Sequence, residues 1–148
     1  MPASESVPQA LWLFDIDGTL VEQSAEQLAA WTAALRSAFG VEVPPEAVTP
    51  HLGGMFAEVV RAVLRPLGRD ASAGAIERAL AAYLAHVRGA LAVRPPRALP
   101  GGHELVLALR KRGHRVGVVT GNFADEGEPK LAAVGVRHLL DLAVYADL

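Results

Sequence analysis

The sequence predicts an α/β fold: a parallel sheet interrupted, after its first strand, by an all-helical insert. Three observations predict it. A short apolar run, LWLFDI (11–16), ends in two aspartates one residue apart. From about residue 20 to 95, apolar residues recur at helical spacing between turn signals. Beyond that the chain alternates helix, strand, helix, strand, which is the order of a parallel sheet covered by helices. The domain boundaries read from this pattern are 1–19 for the first strand and its loop, 20–95 for the helical insert, and 96–148 for the second part of the sheet unit.

The elements follow in chain order. Pro2 to Gln9 reads as a frayed tail. Residues 11–16 read as a strand buried on both faces, because the run is apolar without alternation. Ser24 and Gln27 have the spacing of a capping box, so a helix is expected from Ala25 to Phe39, stopped by Gly40. Leu28, Trp31, Leu35 and Ala38 form its apolar face. Pro44, Pro45 and Pro50 interrupt the pattern. Gly53-Gly54 opens a second helix, Met55 to Leu64, ended by Pro66 and Gly68. A third helix fills 73–92, with Ile76, Leu80, Tyr83, Leu84 and Val87 on one side. RPPRALPGG (94–102) is a connector by composition. His103 to Arg112 reads as a helix ended by Gly113, HRVGVV (114–119) as a strand, and TGNFADEGEP (120–129) as a loop. Lys130 to Val134 reads as helical, Gly135 ends it, and LAVYA (142–146) is the last strand.

Composition bounds what such a fold can do. The chain has 148 residues, 51% of them hydrophobic and 20% charged, which fits one globular domain with an insert. Its net charge is −2 and no basic stripe is present, which excludes nucleic acid as the main partner. There is no cysteine, so thiolate metal sites and cysteine nucleophiles are excluded, and the usage fits a reducing cytoplasm. The N-terminus lacks the basic and apolar regions of a signal peptide, and no uncharged apolar run is long enough to span a bilayer.

The two aspartates pose the functional question. Adjacent carboxylates repel, and desolvating them is costly, so a cation or some chemistry is expected beside them. Sites in open α/β sheets form at the carboxyl ends of strands, where Asp15 and Thr120 both fall. Gly18 permits a sharp turn that folds Asp17 back toward Asp15. Mg²⁺ suits such carboxylates, together with water and phosphate oxygens. A carboxylate can attack phosphorus, and a second one can move the proton of the leaving oxygen and then of water. Thr120, Gly121 and Asn122 offer a hydroxyl and backbone N–H groups to phosphoryl oxygens, and a lysine can add positive charge.

FDIDGTL, with LPGGHELVLALRKRGHRVGVVTGN and EPKLAAVGV behind it, resembles the signatures of the haloacid dehalogenase-like hydrolase superfamily, and most of all its phosphoglycolate phosphatase-like branch. The resemblance implies a Rossmann-like parallel core with a helical cap, and a Mg²⁺-dependent phosphatase of small phosphorylated metabolites working through an aspartyl-phosphate. It implies Asp15 as nucleophile and metal ligand, and Asp17 as general acid/base with its backbone carbonyl on the metal. Thr120, Gly121, Asn122 and Lys130 would bind the phosphoryl group. Two departures stand out. The superfamily's fourth signature, which completes the metal site, is not found before Leu148, so the core is expected to be incomplete at its C-terminus. The first strand is then an edge, open to a second copy or to strand exchange. HLGGMF (51–56) stands where relatives carry a basic residue in the cap.

Other readings stay open. Asp15 and Asp17 can be solvated turn residues, Gly121-Asn122 plain turn chemistry and Lys130 a surface lysine. A calcium loop is rejected, since positions 19 and 21 are Thr and Val. Trp31 and Met55 read as packing, the five histidines as structural or surface, and the Arg61, Arg65, Arg69 series as a solvated face. The functional alternatives are a catalytically incomplete fragment of a longer chain or a binding or assembly module, either one lacking the last metal ligands, and a dehalogenase or phosphomutase on the same fold.

Overall fold

The computed structural model describes residues 9–147; most of the tail expected at Pro2 to Gln9 lies outside them. Gln9 itself is tied down, its side-chain amide donating to the Gly113 carbonyl at 2.9 Å. Three parallel strands form the sheet, β1 (Leu11–Phe14), β2 (Arg115–Val119) and β3 (Leu142–Val144), in the order β1-β2-β3. Phe14 lies opposite Val118, and Val119 opposite Val144, so the carboxyl ends of all three strands share one rim.

β1 corrects one expectation. It is an edge strand of the described sheet, as the sequence also led one to expect, and Leu11, Trp12 and Leu13 are 46%, 46% and 53% exposed rather than buried on both faces. An unalternated apolar run identifies a strand but not its place in the sheet.

The insert folds as its own helical unit. α1 (Ala25–Phe39) is capped by Ser24, whose Oγ accepts from the Gln27 N–H at 3.2 Å, and ends at Gly40 with φ 63°. At that φ only glycine avoids a Cβ penalty. α2 (Pro45–Val48) was not expected among the prolines, yet Pro45 sits at its first position, where no N–H is needed. α3 (Phe56–Leu64) and α4 (Ala73–Val93) complete the unit. Their buried faces enclose a core that includes Trp31, Leu35, Phe56, Val60, Leu64, Ala79 and Tyr83. Trp31 stacks on Phe56 with centroids 4.6 Å apart, and Tyr83 lies 4.9 Å from Trp31. Met55, by contrast, is 44% exposed and packs little.

The sheet unit has a separate aliphatic core of Ile16, Leu20, Val21, Val106, Leu109, Val116, Val118, Leu131 and Val136. Burying each such side chain fully stabilises by roughly 1.5–3 kcal/mol. α5 (Gly102–Lys111) and α6 (Ala124–Ala133) cover the sheet. α6 begins well before the expected Lys130, taking in residues placed in a loop. Its backbone start is capped from across the sheet, where the Asp147 carboxylate accepts from the Ala124 N–H at 2.9 and 3.1 Å. Gly127 fits it tightly to the sheet, for a Cβ there would meet the Tyr145 ring at 2.6 Å.

Two connectors join the units side by side. Glu22 N–H donates to the Arg97 carbonyl at 2.9 Å, and Leu99 N–H to the Leu20 carbonyl at 3.0 Å. This pairing places the insert over the strand-end rim. No helix among the described residues is long and apolar enough to cross a membrane.

Candidate active site

The site begins with the turn after β1. The Ile16 carbonyl accepts from the Leu20 and Val21 N–H groups, both at 2.9 Å, and Gly18 takes φ 74°. That tight turn sets Asp15 and Asp17 on one cleft, with Thr120, Gly121 and Asn122 from the end of β2. The cleft holds about 210 Å³ and is roofed by the insert.

The two aspartates have opposite surroundings. Asp15 is exposed, and its recorded hydrogen bond is a local one from the Ile16 N–H at 2.7 Å. Asp17 is half-buried, and both its oxygens accept from Lys130 Nζ at 2.9 Å. The cation beside Asp17 is Lys130. It does not line the cleft but sits beneath it, 5% exposed at the side chain. Its ammonium has three N–H donors. They meet three acceptors: Asp17, Asn122 Oδ1 at 2.7 Å and Glu126 Oε1 at 2.7 Å.

Asn122 is held as firmly. Its Nδ2 donates to Asp17 Oδ2 at 2.9 Å and to Thr120 Oγ1 at 2.8 Å, and its backbone N–H reaches the same Oγ1 at 3.2 Å. With those donors on its oxygen, the Thr120 hydroxyl has its own proton left to donate toward the cleft. Gly121 is exposed on the same lip.

Sequence reasoning missed Glu126, Tyr83 and Gln27. Glu126 is buried in the first turn of α6, and accepts from the Tyr83 hydroxyl at 3.1 Å and from Gln27 Nε2 at 2.9 Å. Gln27 thus forms only half of the expected capping box: its N–H bonds Ser24, while its side chain crosses to the sheet unit. Burial, and next the Glu126 carboxylate, push the Tyr83 phenol well above its usual range. The one available signal was the four-residue spacing of Glu126 and Lys130, which only a helix turns into a contact.

Asp15 and Asp17 on the cleft are oxygen donors of the kind Mg²⁺ takes, whereas the buried Glu126 is taken up by Lys130, Tyr83 and Gln27. Mg²⁺ is commonly held by one or two carboxylates, with waters and phosphate oxygens making up the rest. Among the described residues no group of three or more His, Cys, Asp or Glu is placed to hold a metal ion.

Comparison with known proteins bears on this arrangement. A family model described as haloacid dehalogenase-like hydrolase matches residues 12–147. A phosphoglycolate phosphatase of Cereibacter sphaeroides (strain ATCC 17029 / ATH 2.4.9) is 25% identical over 135 residues, covering 91% of this chain and 62% of that protein. The chain therefore spans 62% of the length of the curated relatives it matches. Among solved structures, a hydrolase from Pseudomonas syringae superposes with TM-score 0.76 at 23% identity, covering 95% of this chain and 62% of that one. CbbY from Rhodobacter sphaeroides, solved in complex with phosphate, superposes with TM-score 0.74 at 22% identity, covering 95% and 65%. These two likenesses establish the fold.

Proposed function

We propose, from the premise that this chain belongs to the haloacid dehalogenase-like hydrolase family, that it hydrolyses small phosphate monoesters as a phosphatase of the phosphoglycolate phosphatase-like branch. One observation carries the reading: Asp15 and Thr120 end adjacent parallel strands and open on one cleft, and among the described residues Asp15 has no hydrogen bond beyond its own turn. An unengaged carboxylate next to a hydroxyl donor is what nucleophilic phosphoryl transfer requires.

In the proposed reaction a carboxylate oxygen of Asp15 bonds to phosphorus as the ester P–O bond breaks. The leaving oxygen takes a proton from Asp17, which then removes one from the water that attacks the aspartyl-phosphate, releasing inorganic phosphate. For this, one Asp17 oxygen turns from Lys130 into the cleft, while Lys130 stays on the other and on Glu126. Thr120 and Gly121 hold phosphoryl oxygens. Asn122 and Lys130 position Thr120 and Asp17 from below rather than touching substrate. Asp15 and Asp17 would hold Mg²⁺, which when bound neutralises phosphoryl charge and aids in-line geometry.

The test is phosphate release from an aryl phosphate with Mg²⁺, in wild type and in Asp15→Asn. A fall of at least about a thousandfold is expected, in line with loss of a covalent nucleophile. Equal rates would end the assignment.

A second reading is favoured by the exposed β1 edge: a binding or assembly module that pairs through Leu11–Phe14, with a second copy as one occupant. Calorimetric titration with Mg²⁺ separates the two, since a site that takes no Mg²⁺ in the low-millimolar range supports the module.

A further inference from the structure

The charge of the cleft is one-sided. Its rim and floor carry Asp15, Asp17 and Glu126, and among the described residues no lysine, arginine or histidine lines it. Lys130, just beneath, has its donors on Asp17, Asn122 and Glu126. The insert's wall is mixed: Gln23 and Gln27 stand beside Leu52 and beside Trp31, Phe56 and Tyr83, which are otherwise buried in the insert's core, and half-buried Phe123 joins them from the α6 start. Phe56 packs against Trp31 at 4.6 Å and edge-on against Phe123 at 6.0 Å. α3 opens on the cleft at Gly53-Gly54 with a partially positive helix end, and Glu58 in its first turn offsets that pole.

A phosphoryl group has Thr120, Gly121 and a divalent cation to meet its charge. A second anionic group on the same substrate has none. It would be desolvated beside carboxylates whose own cation, Lys130, is already engaged, with no further cation among the described lining residues, which is unfavourable. A neutral group with a flat or apolar face finds ring contact there instead. The volume of about 210 Å³ keeps that group small.

We infer that the cleft selects phosphate monoesters whose leaving group is small, uncharged and aromatic or apolar on one face, and rejects those whose leaving group carries a carboxylate. This rests on the phosphatase reading and sets the chain apart from what the name of its phosphoglycolate phosphatase relative says of that protein. The selecting features are the ring edges of Trp31, Phe56 and Phe123 and a lining that, among the described residues, holds no lysine, arginine or histidine.

The experiment compares phenyl phosphate with phosphoglycolate. Turnover is measured on wild type and on Gly54→Lys, and binding by calorimetry on Asp15→Asn. Gly54 tolerates a side chain, since a Cβ there meets the nearest atoms at 3.4 and 3.5 Å and its φ is ordinary. Wild type is expected to favour phenyl phosphate in kcat/KM by about tenfold or more, and Gly54→Lys to narrow that ratio by about tenfold. Asp15→Asn should bind phenyl phosphate more tightly. Preference for phosphoglycolate, in turnover or in binding, overturns the inference and leaves the phosphatase reading intact. Turnover of neither ester, with phenyl phosphate still bound more tightly, sinks the phosphatase reading and leaves the selectivity standing. Binding of neither overturns both.

Discussion

The rim of the cleft and its wall are built in different ways. The rim comes from two short segments, 15–18 and 120–122, each set by its own strand end and turn. The wall comes from residues 31, 56, 83 and 123, which meet only because α1, α3, α4 and α6 pack together. The rim is therefore local and polar, the wall distant and aromatic. The two are tied by a buried polar chain running from Asp17 through Lys130 and Glu126 to Tyr83 and Gln27. The chemistry of such a site can be fixed by a few neighbouring residues, while its selectivity depends on the whole fold.

Lys130→Met would break both halves at once. It leaves the buried Glu126 carboxylate and the half-buried Asp17 without their cation. Removing one partner of a buried ion pair costs roughly 3–5 kcal/mol. Chemical denaturation should show a loss of that order, and phosphate release should fall with it. A stable variant with unchanged activity would mean that the polar chain supports neither the rim nor the wall.

Tyr83→Phe sharpens the contrast from the wall end of that chain. It deletes the hydroxyl that donates to Glu126 at 3.1 Å and accepts from Gln27 at 3.4 Å, at a cost of roughly 1–2 kcal/mol. The pH dependence gives a second reading. The phenol is pushed up in the fold by burial and by Glu126. Its stabilisation is then complete below the ordinary tyrosine range near pH 10 and is lost as pH rises above it. Wild type should lose stability on that alkaline limb more steeply than Tyr83→Phe; Tyr145, also raised by burial and then by Glu128, contributes the remaining slope.

Asp141→Asn tests a region outside both. Asp141 Oδ2 accepts from the Val116 N–H at 2.8 Å and from Arg110 at 2.5 Å, and these bonds hold its carboxyl below the usual range. The stabilisation is present above about pH 4 and is lost as pH falls through the lowered value. The variant should melt slightly lower at neutral pH and converge with wild type in acid, with substrate preference unmoved. A changed preference would show that the sheet's far edge sets the cleft.

The same contrast explains what the sequence made legible. Asp15, Asp17, Thr120 and Asn122 stand at the ends of apolar strands, and a strand end is a local signal. The α1 boundaries were equally clear, because Ser24 and Gly40 act on adjacent backbone. The start of α6 was not. ADEGEP carries a glycine and a proline, and the helix is held by Asp147 from another segment and by the fit of Gly127 against Tyr145. Glu126 was hidden with it. The place of β1 was legible only in part: its unalternated apolar run suggested burial on both faces, while the absent fourth signature led to the edge position that the pairing order gives.

In the proposed reaction Asp15 is the carboxylate that takes the phosphoryl group. Acid quenching of the protein during turnover of an aryl phosphate with Mg²⁺, followed by peptide mass mapping, tests it directly. The predicted result is one phosphoryl mass on the peptide carrying Asp15, absent in Asp15→Asn. A phosphoryl mass on any other residue, or none at all while phosphate is being released, would contradict it.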